Sequence, residues 1–212
     1  MKRGIKAIIF DIGGVLSLGK YMVHPKHKHR TGVHEYIIKK LKISVDQYFD
    51  SIDTYYAKSI TGEISEKQAI SKIAKNLKIT PKKLLKLYTK AYKKNFKINK
   101  PLYKLAFKLK KKGYKIAILS DQWHLSKKSH KLIDQKLINK FDVVILSPDV
   151  KMRKPNPKIY KLILKKLKVK PKEALFIDNQ PWNIKPAKKL GMQTILFKNN
   201  KQCFEELKKK LK

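Results

Sequence analysis

Side chains able to do chemistry recur in this chain just past short apolar runs. Asp11 follows Ile8-Ile9-Phe10, Ser120 and Asp121 follow Ile118-Leu119, Ser147 follows Val143 to Leu146, and Asp178 with Asn179 follows Phe176-Ile177. Lys154 stands in the stretch Arg153-Lys154-Pro155-Asn156-Pro157, just ahead of a helical pattern. If the apolar runs are parallel strands, residues at their carboxyl ends share one edge, which is where ligands bind in open parallel sheets. Acids, short hydroxyls and an ammonium would then converge on a single ligand. A carboxylate after a run of strand residues has little structural use there, apart from capping a helix.

Five runs have strand character: Ile5 to Phe10, Lys115 to Leu119, Val143 to Leu146, Ala174 to Ile177 and Thr194 to Phe197. Each is nearly continuous in apolar residues, as expected for strands covered on both faces. Helical periodicity lies between the later ones, over Lys127 to Leu137, Lys158 to Leu167 and Asn183 to Leu190. Strand and helix in alternation give a parallel sheet. From about Lys20 to Phe96 the alternation stops and the pattern is helical throughout. Ser44 with Gln47, and Ser65 with Gln68, are capping-box spacings, while Thr80-Pro81 and Asn99 to Pro101 give further helix starts. The first strand is therefore separated from the second by an all-helical insertion.

These residues resemble the haloacid dehalogenase superfamily of hydrolases, of the phosphatase type with a helical cap, over nearly the whole chain. Ile8-Ile9-Phe10-Asp11-Ile12-Gly13-Gly14-Val15-Leu16 resembles its first motif and Ile118-Leu119-Ser120 its second. Arg153-Lys154-Pro155-Asn156-Pro157-Lys158-Ile159-Tyr160 resembles the third, and Phe176-Ile177-Asp178-Asn179, with Asn183 and Ala187 to Gly191, the fourth. Each is weak alone; order and spacing make them strong together. The resemblance implies an α/β fold, with a Rossmann-like parallel sheet in a three-layer α/β/α core (residues 1–19 and 97–212) and an inserted all-helical cap (20–96). It implies that Asp11 attacks phosphorus and forms an aspartyl-phosphate that water releases, with Ser120 and Lys154 neutralising the phosphate. Gly13, Gly14, Ser120, Asp121 and Lys154 would bind a small phosphorylated substrate. Asp11, the Gly13 carbonyl, Asp178 and Asn179 would hold Mg²⁺.

Two positions depart from the family pattern. Phosphatases of the family usually carry a second aspartate two residues past the nucleophile, as general acid and base; here it is Gly13. Such assistance is worth about a hundred- to ten-thousand-fold, so alkyl phosphates should suffer most, and aryl or acyl phosphates less. Asp121 is a candidate substitute acid, although capping is the commoner role for such a residue. In the fourth motif Asn179 stands where an acid often does, and an amide binds magnesium without contributing charge. The dehalogenase branch typically has tyrosine where Gly13 stands and uses no metal, which weighs against that chemistry.

The net charge of +38 raises nucleic acid as a partner. Nearly all of it is lysine spread through every helical segment, with arginine only at Arg3, Arg30 and Arg153. Bidentate readers of phosphate and bases are usually arginines, so a solvated lysine coat is favoured over polyanion binding. His24, His27, His29 and His34 lie among Lys26, Lys28 and Arg30; irregular spacing favours an exposed basic loop at the cleft mouth over a transition-metal site or a substrate contact. Trp123 and Trp182 either wall the cleft or pack beneath loops. Tyr48, Tyr55, Tyr56, Tyr88, Tyr92 and Tyr103 read as core or interhelical contacts. The single Cys203 reads as an unreactive thiol, and no disulfide can form within the chain. No apolar run approaches the roughly eighteen residues a bilayer span needs, so a soluble, cytoplasmic protein without a membrane partner is expected. The leading expectation is a Mg²⁺-dependent phosphatase. Its rivals are a catalytically weakened binding or regulatory module, resting on Gly13 and Asn179 together, and a polyanion-associated basic protein.

Overall fold

The computed structural model describes residues 4–18, 32–121 and 135–211. Central strand β1 (Ala7–Phe10) pairs in parallel with β4 (Lys115–Ser120) on one side and β6 (Ala174–Asp178) on the other. Strands β5 (Val143–Leu146) and β7 (Gln193–Leu196) add in parallel outside them, giving the order β5-β4-β1-β6-β7. Every residue of β1 is fully buried. That is why its sequence is apolar without alternation: each face of the pleat meets a helical layer.

On one face Ile8, Phe10, Ile116, Ile118 and Ile177 pack with α5 (Lys100–Lys111) and α10 (Asn200–Lys210). On the other, Ile9, Ala117, Leu119 and Phe176 pack with α8 (Pro157–Leu167) and α9 (Pro181–Lys189). This is the three-layer α/β/α arrangement expected from the sequence. Cys203 lies inside the first layer, where burial pushes its thiol up to about 12, out of reach of nucleophilic chemistry at neutral pH.

Helices α1 (Gly32–Leu41), α2 (Val45–Thr61), α3 (Glu66–Asn76) and α4 (Pro81–Asn95) gather around a hydrophobic cluster of their own, centred on Ile37, Phe49, Ile52, Ile73 and Leu84. Both expected capping boxes are made, with Ser44 and Ser65 each accepting from the amide three residues on and each glutamine reaching back. Fully buried Tyr48 and Tyr88 join hydroxyl to hydroxyl inside this cluster. At its base a two-residue antiparallel ribbon, β2 (Ser17–Leu18) with β3 (Lys97–Ile98), brings the outgoing and returning chain together. Buried Asn99 then anchors the return, its amide nitrogen donating to Val15 O and Asn200 Oδ1, both at 2.8 Å.

The strand boundaries differ from expectation by small shifts. β1 starts at Ala7 rather than Ile5, and β4 and β6 each run one residue further, so Ser120 and Asp178 pair with Leu146 and Leu196 as the last rungs of their ladders. β5 has the expected bounds, and Ser147, directly after it, opens a short helix, α7 (Ser147–Val150). The helix expected from Lys127 falls outside the described residues as far as 134; its end is helical, α6 (Gln135–Ile138). His24, His27, His29 and Trp123 also lie outside them. No helix among the described residues is long and apolar enough to cross a membrane.

Candidate active site

The chain leaves β1 through a tight turn that fixes Asp11 at the carboxyl edge of the sheet. The Asp11 amide donates to Ile177 O (2.9 Å), and the turn closes with Gly14 N–H on Ser17 O and Ser17 N–H on Ile12 O, both 2.8 Å. Gly14 has φ 83°, a conformation that penalises any residue with a Cβ. Asp11 is buried by this turn, and Ser120, at the end of the adjoining strand, is buried beside it.

Lys154 joins three strand ends. Its ammonium donates to Asp11 Oδ1 (2.9 Å), to Asp178 Oδ2 (2.7 Å) and to the carbonyl of Leu119 (3.2 Å). An ammonium has three protons, so each has an acceptor and none is left for water. Asp178 is held in turn by the Gln180 amide on Oδ1 (2.7 Å) and by Asn183 Nδ2 on Oδ2 (3.1 Å). The Tyr160 hydroxyl donates to Asn183 O at 2.9 Å, tying α9 to α8 behind the site.

Electrostatics at this edge are unbalanced. Burial pushes the Asp11 carboxyl up to about 7; the Lys154 ammonium pulls against that rise, and Asp178 and Asp121 add to it. Burial alone would depress Lys154, but Asp11, Asp178 and Asp121 together carry it well above its usual value, so it stays charged. Two buried carboxylates thus share one ammonium, and the cluster lacks a positive charge that a proton or a bound cation would supply.

Above these residues opens a cavity of about 350 Å³. Asp11, Gly13, Ser120, Lys154, Asn179 and Asn183 line its sheet side, with Asp121 and Arg153 alongside. Its opposite wall comes from the helical insertion through His34 on α1 and Asp53 and Tyr56 on α2. Buried carboxylate, ammonium, hydroxyl and amide groups meet there at the edge of a parallel sheet. A family model described as haloacid dehalogenase-like hydrolase matches residues 5–191. The chain belongs to the haloacid dehalogenase-like hydrolase family.

Relatives of this hydrolase include bifunctional epoxide hydrolase 2 of Rattus norvegicus, 38% identical over 43% of the chain and 17% of that protein. Glyceraldehyde 3-phosphate phosphatase of Pyrococcus furiosus is 35% identical over 40% of the chain and 35% of that protein. The chain thus matches well under half the length of either relative. Among solved structures, a predicted HAD-like family hydrolase from Porphyromonas gingivalis superposes with TM-score 0.75 at 22% identity, covering 97% of both chains. A HAD family enzyme from Bacteroides thetaiotaomicron, solved with magnesium and inorganic phosphate, gives 0.73 at 24% identity over 92% of this chain and 95% of that one. At such identities the likeness shows the fold.

Of the residues singled out in the sequence of this hydrolase, Asp11, Gly13, Ser120, Asp121, Lys154 and Asn179 line one cavity, and Asp178 is wired to it through Lys154. Gly14 is not among the lining residues; its place is in the turn. Asp121 Oδ1 accepts from Ser147 Oγ (2.5 Å) and from the Lys154 amide (3.0 Å), which occupies it as an acceptor between two loops. His34 sits on a helix, not in a basic loop: its ring packs against Tyr48 and Phe49, and Nδ1 pairs with the Tyr48 hydroxyl at 2.9 Å. Trp182 is 55% exposed and does wall the cavity. Tyr56 both packs in the helical cluster and lines the cavity, where an interhelical contact alone was expected. Asp53 and Arg153 escaped notice as lining residues, since charged side chains on a helix and beside a lysine read as solvated surface.

Proposed function

We propose that this hydrolase is a phosphatase acting on a small phosphorylated metabolite, with Asp11 as nucleophile and Mg²⁺ as cofactor. The observation that carries the reading is the Lys154 ammonium, buried and spanning Asp11 and Asp178 at the sheet side of the cavity. The phosphatase relatives of Pyrococcus furiosus and Pyrococcus abyssi support the reaction class, and the magnesium-bound structural neighbour supports the metal.

The donor set fits magnesium. Asp11 supplies a hard carboxylate oxygen, the buried Asn179 Oδ1 has no hydrogen-bond partner, and Gly13 brings its backbone to the same cavity, while Asp178 stands behind them with its oxygens engaged by Lys154, Gln180 and Asn183. Among the described residues no three His, Cys, Asp or Glu side chains cluster to hold a metal, so the amide and the backbone carbonyl must complete the set. When bound, the ion supplies the positive charge the cluster lacks and screens Asp11 from the phosphate it attacks.

In this reading the Asp11 carboxylate displaces the leaving oxygen from phosphorus, and an acyl phosphate forms on Asp11. Lys154 and the Ser120 hydroxyl neutralise the charge on the transferring group. Water then cleaves the acyl phosphate and regenerates the carboxylate. Gly13 offers no proton to the leaving oxygen, so substrates whose leaving group departs without one, aryl or acyl phosphates, are favoured. The same glycine, with Asn179, carries the second reading, a weakened member that binds without turning over.

Hydrolysis of p-nitrophenyl phosphate with and without Mg²⁺, beside an Asp11→Asn variant, separates these. Turnover that requires the metal and vanishes in the variant is expected. Activity surviving in Asp11→Asn would remove that residue from the mechanism, and an inert wild type that still binds inorganic phosphate would favour the module.

A further inference from the structure

We propose that Tyr56 and Asp121 are positioning residues that set the place of Lys154, making the helical insertion part of the device that orients the nucleophile. This rests on the reading above, in which the Asp11–Lys154 pair is the reacting centre. Lys154 is carried by the loop between α7 and α8, so its ammonium is placed only as well as that loop is held.

One oxygen holds both sides of the loop. Asp121 Oδ1 accepts from Ser147 Oγ at the start of α7 and from the Lys154 amide itself. Asp121 follows directly on Ser120, the last rung of β4, so the anchor is the rigid sheet. The backbone carbonyl of the same Asp121 accepts from the Tyr56 hydroxyl of α2 at 3.2 Å. Asp121 is therefore gripped from two directions, by the insertion through its carbonyl and by the lysine loop through its carboxylate. The chain of contacts runs from Tyr56 through Asp121 and Lys154 to Asp11, with every link within hydrogen-bonding distance. Side chains that hold a reacting group in register matter steeply, since a displacement of about 1 Å can cost about a hundredfold in rate.

Four variants of the full chain test this: Tyr56→Phe, Asp121→Ala, the double of these two, and Asp121→Asn. Tyr56→Phe removes one hydroxyl, and kcat for p-nitrophenyl phosphate should fall about tenfold with KM changed less than about twofold. Asp121→Asn keeps an acceptor oxygen for Ser147 and the Lys154 amide, so its kcat should stand several-fold above that of Asp121→Ala; it also serves if Asp121→Ala does not fold. Because both residues act through one path, the double variant should be no slower than Asp121→Ala alone. An independent readout is acetylation of Lys154 by acetic anhydride, followed by mass spectrometry. Its side chain is 1% exposed, and labelling should rise several-fold in Tyr56→Phe while other lysines stay as they were. Losses that multiply in the double variant, or Lys154 labelling equal to wild type in Tyr56→Phe, would overturn the proposal. A wild type without hydrolysis defeats the phosphatase reading instead, and the labelling then decides the positioning role alone.

Discussion

Asp11 gives up water for a place between Ile177 and Lys154, and the consequence is thermodynamic as well as catalytic. Burial holds its folded-state pKa near 7 against an ordinary 3.8, so the native protein binds that proton more tightly than the unfolded chain does. The stability this contributes is fully present below about pH 4 and is lost as the pH climbs through about 7. In chelator, Asp11→Asn should melt above wild type at pH 7, with the two curves converging toward pH 4; a variant that melts lower at pH 7 would contradict the assignment. Its neighbour Gly13 invites the opposite experiment. A Cβ built there meets nothing closer than Asp11 Oδ2 at 3.9 Å, an ordinary van der Waals contact, so the first atom of a side chain fits without displacing a neighbour. Gly13→Asp should raise hydrolysis of alkyl phosphates about tenfold or more by supplying a proton to the leaving oxygen, while aryl phosphates change little. Gly13→Asn, equal in size but unable to give up a proton in that role, should show no such gain.

Among the elements, the central strands were legible because burial on both faces leaves little room for polar residues, and a run such as Ala174 to Ile177 follows directly. Helix starts were legible because a capping box is local chemistry completed within four residues. The capping prediction is correspondingly local: Ser65→Ala should cost about 1 kcal/mol in a denaturant titration while kcat stays as in wild type, since α3 carries no residue of the cavity. What escaped the sequence is which face of the insertion looks into the cavity. The face of α2 bearing Asp53 and Tyr56 has the same helical period whether it meets solvent, another helix or a cavity. The Asp121 contacts join residues 26 and 33 positions apart across a turn of tertiary structure, and no spacing rule carries that information. The ribbon of β2 and β3 was missed for a plainer reason, because two residues cannot display a period of two.

At the scale of the whole molecule the excess of lysine acts on any anion that approaches, whatever the cavity recognises. Charges of one sign over the surface attract a dianionic phosphate ester from a distance and raise its encounter rate without improving the fit. The cavity itself presents Arg153 and Lys154, but Lys154 is already engaged by Asp11 and Asp178, so the attraction felt from solution comes mainly from the exposed coat. Exposed charges are screened over about 10 Å at 0.1 M salt, whereas the buried contacts of Lys154 are screened far less. The two contributions therefore separate in a salt titration. From about 50 to about 500 mM NaCl, kcat/KM for p-nitrophenyl phosphate should fall several-fold through KM, with kcat nearly constant. If kcat falls instead, salt is reaching the buried ion pairs and the site is more open than its burial implies. If neither changes, the lysine coat plays no part in substrate capture. Retention on immobilised nucleic acid across the same range then tells whether the coat serves a polyanion, since displacing several phosphate contacts makes that binding fall steeply with salt.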